Sequence, residues 1–129
     1  MTENFKPNLK QQEAIDCING PVMLLAGPGT GKTFTLIKRV EKMLSSGIKP
    51  ENILCLTFSD AATNEMKTRL VEKIGTEAIG VNVSTYHGFC MEIIRQYRAD
   101  FEIAENVQMA DDVTKQAILK ESIEEFGEI

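Results

Sequence analysis

The sequence predicts an α/β fold, a parallel sheet flanked by helices with a helical extension at its C-terminal end. Three observations carry this. Short apolar runs bounded by turn signals recur at Val22–Ala26, Ile53–Phe58 and Val81–Thr85, the pattern of strands buried on both faces. Segments with apolar residues three and four apart lie between them. A glycine-rich turn joins the first apolar run to the first long helical segment. Strand and helix alternating in this way imply right-handed parallel crossovers.

Each element has its own signal. Gln11–Ile18 reads as a helix ahead of the first strand. From Lys32 to about Ser45, the residues Leu36, Ile37, Val40 and Leu44 keep helical spacing, and Gly47 is placed to end the helix. From Asp60 to Ile74, Ala62, Met66, Leu70 and Ile74 recur every fourth residue. Ser59 or Asp60 is placed to cap that helix, and Gly75 closes it. Phe89, Ile93 and Tyr97 form a stripe between Gly88 and Arg98, and Leu119, Ile123 and Phe126 share a face from Asp112 to Phe126.

Composition bounds the function classes. The 129 residues are 43% hydrophobic and 26% charged, an ordinary globular mix. No apolar run approaches the ~20 residues of a membrane span, and the N-terminal stretch lacks the apolar core of a secretory signal. Cys17, Cys55 and Cys90 are odd in number and lack metal-ligand spacing, which points to a reducing, cytoplasmic setting. Through residue 98 there are 12 Lys and Arg against 10 Asp and Glu, a net of +2; beyond it 2 against 9, a net of −7 within the total of −5. The acidity sits in the tail, so a nucleic-acid site has to come from a local cluster.

The strongest motif is Ala26-Gly27-Pro28-Gly29-Thr30-Gly31-Lys32-Thr33. Glycines let a backbone wrap a polyphosphate and turn several N–H groups toward it, and the helix that begins there adds its positive end. Lys32 is placed to reach the β- and γ-phosphates and the Thr33 hydroxyl to ligate Mg²⁺. The strict motif opens on glycine, where this chain has Ala26. A glycine-rich turn that binds nothing has no need of the Gly-Lys-Thr ending or of both flanks. The motif specifies a nucleoside triphosphate and leaves open how its energy is used.

Two further segments narrow the choice. Thr57-Phe58-Ser59-Asp60-Ala61-Ala62-Thr63-Asn64-Glu65-Met66-Lys67-Thr68-Arg69-Leu70 straddles the end of the second apolar run and the next helix, and Ser84-Thr85-Tyr86-His87-Gly88-Phe89-Cys90 follows the third. Both fall where strands end, the edge at which open α/β sheets bind ligands. Rings there (Phe58, Tyr86, His87) can stack on unpaired bases. With the glycine-rich loop and Asn8-Leu9-Lys10-Gln11-Gln12-Glu13-Ala14-Ile15 near the N-terminus, these segments resemble, in order and spacing over residues 6 to about 98, the Q motif and motifs I, Ia and Ib of the UvrD/Rep-like superfamily 1 DNA helicases.

The resemblance implies a RecA-like fold and ATP with Mg²⁺ as ligands. It implies that Gln11 reads adenine, that residues 26–34 (Phe34 included) surround the phosphates, and that Lys32 and Thr33 serve catalysis. It implies that Thr57, Phe58, Ser59, Tyr86 and His87 meet single-stranded DNA in 3′-to-5′ movement. The chain departs from the family pattern at Pro7, where leucine is usual, at Phe34, where arginine is common, and at Asp60-Ala61, where Asn-Lys is frequent. The Asp-Ala-Ala-Thr and His-Gly-Phe-Cys runs lean toward the RecB/AddA branch. In the family the Walker B carboxylates, the arginine finger and a second motor domain lie further along. The expectation is therefore an incomplete ATP-binding domain over 1–98 and the start of a helical inserted subdomain over 99–129, binding ATP weakly without unwinding. Val107–Asp112 is too short and interrupted for a Walker B strand, and Asp111 and Asp112 read as helix-capping acids. A different phosphate-loop enzyme, such as a small kinase, and a non-catalytic nucleotide-binding module are the alternatives.

Overall fold

The computed structural model describes residues 6–102 and 108–127. They fall into two compact units, one reaching Tyr86 and one beginning at His87.

In the first unit, α1 spans Leu9–Asp16 and α2 Lys32–Ser45. Strand β1 is Leu54–Thr57, α3 is Asp60–Ile74 and β2 is Asn82–Thr85. The two strands pair in parallel, Leu54 opposite Asn82 and Thr57 opposite Thr85. This is the α/β arrangement the sequence predicts, matching a RecA-like phosphate-loop fold. Short 3₁₀ turns at Pro50–Asn52 and Thr76–Gly80 lead into the strands.

The core follows from the periodicities. Ile37, Val40 and Leu44 of α2, Met66 and Leu70 of α3, and Cys55 and Val83 of the strands form one buried cluster with Ile53, Ala78 and Val81. Alternation turns Cys55 and Val83, cross-strand neighbours, into this cluster while Leu54 and Asn82 stay exposed. Burial pushes the Cys55 thiol above its ordinary pKa, which keeps it protonated and inert. Ser59 caps α3 by accepting from the Ala62 N–H at 3.2 Å, and Gly75 ends it at a φ of 96°, a conformation that favours glycine.

The first apolar run departs from expectation. Val22–Ala26 pairs with no strand among the described residues, and Met23 and Leu25 are 84% and 87% exposed. An apolar run becomes a strand only when a neighbour completes its ladder of hydrogen bonds. Among the described residues the sheet holds β1 and β2 alone, and without a partner the run stays irregular. Helix α1 also starts earlier than its apolar pattern suggests, because Asn8 and Gln11 form a reciprocal capping box.

In the second unit, α4 covers Tyr86–Gln96 (its first residue closing the first unit) and α5 covers Asp112–Phe126. Helix α4 begins two residues before the expected Gly88. Asp111 is the N-cap of α5, accepting from the Thr114 N–H at 2.7 Å. Hydrogen bonds from the Thr114 side chain and from its backbone N–H hold the Asp111 carboxyl below the usual carboxylate range. Asp112 follows in the first turn and pairs with Lys115 at 3.2 Å. Both acids thus serve the start of the helix, and Val107, at the head of the same stretch, lies outside the described residues. The expected stripe of Leu119, Ile123 and Phe126 is present on α5 but exposed.

Candidate nucleotide and nucleic-acid site

The phosphate loop is built by glycine conformation. Gly29 and Gly31 take φ values of 70° and 82°, in the left-handed region where a side chain is costly. The Thr30 hydroxyl donates to the Gly27 carbonyl at 2.6 Å and tightens the turn. Gly31 is the N-cap of α2 and brings no side chain to cap it, so the opening turn of a 14-residue helix presents its backbone N–H groups to an incoming anion. Lys32 is the first helical residue and exposed; Thr33 beside it is half-buried. Gly27, Pro28, Gly29 and Thr30 are exposed, and Ala26 and Phe34 are half-buried. The Thr35 hydroxyl donates back to the Gly31 carbonyl at 2.9 Å, fixing the loop to the helix.

Gln11 is buried and docked on this loop. Its Nε2 donates to the Thr30 carbonyl at 2.9 Å, and its Oε1 accepts from the Asn8 N–H at 2.8 Å. An amide has two N–H donors and two acceptor lone pairs, so one of each remains for a base. A cleft of about 940 Å³ opens here, lined by Asn8, Gln11, Ala14, Leu24, Ala26 and Thr30 among others. Helix α1 is tied down at its far end as well. Arg39 of α2 donates from Nη1 to the Ala14 carbonyl, and Lys42 lies 3.8 Å from Asp16. The sequence pointed to Gln11 but not to its anchorage on Thr30; the Asn-x-x-Gln capping-box spacing was the available signal.

No group of three or more His, Cys, Asp or Glu side chains able to hold a metal exists among the described residues. The loop itself, residues 26–34, carries the hydroxyls of Thr30 and Thr33 and no carboxylate. That suits Mg²⁺ arriving on a polyphosphate and keeping most of its own waters, and does not suit a metal caged by protein.

The pairing register sets the second part of the site. Thr57 and Thr85 are opposite each other at the carboxyl ends of β1 and β2. The residues after them, Phe58 and Tyr86, therefore leave the sheet about one strand spacing apart, ~4.8 Å at the backbone. Phe58 is 95% exposed and Tyr86 58%. Large rings placed this far into solvent contribute little to a core and are available for stacking. Ser59, exposed, caps α3, and the Thr57 hydroxyl faces that of Thr63 at 2.6 Å. His87, in the second unit, is exposed near the start of α4.

A glycine-lined phosphate loop opening a helix, with a buried glutamine fastened to it, defines a nucleotide-binding α/β protein of the phosphate-loop class. The family model described as the UvrD/REP helicase N-terminal domain matches residues 7–128, and the chain belongs to that family. It is 34% identical over 115 residues to the ATP-dependent DNA helicase PcrA of Staphylococcus epidermidis, and 32% identical over 115 residues to PcrA of Staphylococcus aureus. Each match covers 88% of this chain and 16% of the relative, so the chain spans about one sixth of the length of these curated relatives. No helix among the described residues is long and apolar enough to cross a membrane.

Proposed function

We propose that this chain is the ATP-binding part of a DNA helicase that couples ATP hydrolysis to 3′-to-5′ movement along a single strand. The observation that carries the reading is the Gln11–Thr30 hydrogen bond. It supports the reading because it ties the Gln11 amide to the glycine-rich loop beside one cleft, as a purine nucleotide requires. Gln11 selects adenine, residues 26–34 enclose the phosphates, and Lys32 and Thr33 meet the terminal phosphates and Mg²⁺. Thr57, Phe58, Ser59 and Tyr86 offer hydroxyls and rings to an unpaired strand; His87, in the second unit, is proposed separately as a contact to single-stranded DNA.

We assign residues 1–98 to the RecA-like ATP-binding domain and 99–129 to the start of a helical inserted subdomain. The Asp60–Thr63 and His87–Cys90 runs support the RecB/AddA branch. A cytoplasmic site of action suits a DNA-directed motor with three free thiols.

Among the described residues no strand ends in a carboxylate pair that could orient a water against the γ-phosphate. The 129 residues alone should therefore bind Mg²⁺-ATP weakly and turn it over far below the ~1 s⁻¹ of ordinary enzymes. Isothermal calorimetry with ATP and Mg²⁺ checks the first half, and phosphate release the second. Lys32→Ala should abolish the calorimetric signal. Binding unchanged by Lys32→Ala, or turnover at an ordinary enzyme rate, contradicts the reading.

A further inference from the structure

Phe58 is 95% exposed, so side-chain packing does not hold it. What is held is the backbone on either side. Thr63, on the first turn of α3, is 8% exposed, and its hydroxyl lies 2.6 Å from that of Thr57 and 3.1 Å from the Ser59 carbonyl. The Thr57 hydroxyl is also within 3.2 Å of the Ser59 carbonyl and 3.4 Å of the Ser84 carbonyl on β2. Each hydroxyl has one proton. Both are satisfied when Thr63 donates to Ser59 and accepts from Thr57. The residues immediately before and after Phe58 are then joined through one buried side chain.

We propose that Thr63 is a positioning residue for nucleic-acid binding. Its hydroxyl locks the strand-to-helix turn so that Phe58 is presented in the orientation a stacked base needs, though Thr63 itself touches no nucleic acid. The proposal rests on the reading of Phe58 as a stacking ring. An unlocked turn must be ordered when the strand binds, and that ordering subtracts from affinity. The Thr63 N–H already donates to the Ser59 carbonyl at 2.9 Å; the hydroxyl adds a second tie to that carbonyl and gives the Thr57 hydroxyl its nearest partner, so removing it loosens both sides of Phe58 at once.

The test is fluorescence anisotropy with labelled oligothymidine and the 129-residue chain as wild type, Thr63→Val, Thr63→Ser, Phe58→Ala and the Phe58→Ala/Thr63→Val double variant. Valine keeps the shape and loses the hydroxyl; serine keeps the hydroxyl. The expected result is a roughly 3- to 10-fold weaker Kd for Thr63→Val, wild-type affinity for Thr63→Ser, and a double variant no weaker than Phe58→Ala alone. If Thr63→Val does not fold, Thr63→Ala, a better helix former, takes its place in the same comparison. Wild-type affinity for the valine variant overturns the proposal, as does an equal loss for serine. The same holds if valine costs as much in the Phe58→Ala background as in the wild type, since that marks a general structural loss. In those three cases a weakened Phe58→Ala leaves the stacking reading standing. If Phe58→Ala itself binds like wild type, the stacking reading falls and the positioning role falls with it.

Discussion

Gln11 has two partners in the protein before any ligand arrives, the Asn8 N–H and the Thr30 carbonyl. This arrangement prepays the ordering of a flexible side chain, which otherwise subtracts from ligand affinity. The remaining N–H and lone pair match the N7 acceptor and N6 donor of adenine; guanine presents O6, a second acceptor, where adenine has its donor. Gln11→Ala should therefore narrow the gap between ATP and GTP in calorimetry and also loosen the phosphate loop, so ATP affinity falls more than GTP affinity. Equal ATP and GTP binding by the wild-type chain would reduce Gln11 to a structural tie. The identity of this residue was legible from its motif. Its tie to the phosphate loop was not, because the partner is a backbone carbonyl 19 positions away and carbonyls leave no trace in a sequence.

At the scale of elements, periodicity was a good guide wherever both partners of a contact lie within the chain's own pattern. The four-residue repeat of Met66 and Leu70 placed α3 on the sheet, and Leu70 is 1% exposed. Leu70→Ala should destabilise the first unit by about 2–5 kcal/mol, read as a lower urea midpoint with an unchanged slope. A loss under ~0.5 kcal/mol would mean that α3 does not anchor the core. Periodicity misled where burial depends on a partner. The apolar run at Val22–Ala26 has strand composition, yet Met23 and Leu25 face solvent. The same is true of Leu119, Ile123 and Phe126, whose helical spacing fixed α5 without fixing what covers it. Strand ends were legible to a residue or so, and the pairing register that sets Phe58 beside Tyr86 was not, because register depends on long-range packing.

For the whole molecule, binding a nucleoside triphosphate is common to phosphate-loop proteins and does not separate a helicase part from a kinase or an inert nucleotide-binding module. Preference for an unpaired strand does. The basis for that preference is local. The net charge is −5, and Asp60-Ala61 follow shortly after Phe58 where Asn-Lys is frequent in the family, so a cation is missing there and few phosphate contacts are available. Each contact adds ~0.7 to the single-strand salt slope, and a shallow slope is expected. Stacking on an aromatic ring is worth ~1–3 kcal/mol per base, enough for weak binding from Phe58 and Tyr86, and it is unavailable to bases still paired in a duplex. The deciding measurement is fluorescence anisotropy of labelled single-stranded and duplex oligonucleotides across a salt series, with wild type and the Phe58→Ala/Tyr86→Ala double variant. The account predicts tighter binding of the single strand, a mild salt dependence, and loss of the preference in the double variant. Equal affinity for both forms, or a double variant indistinguishable from wild type, would contradict it.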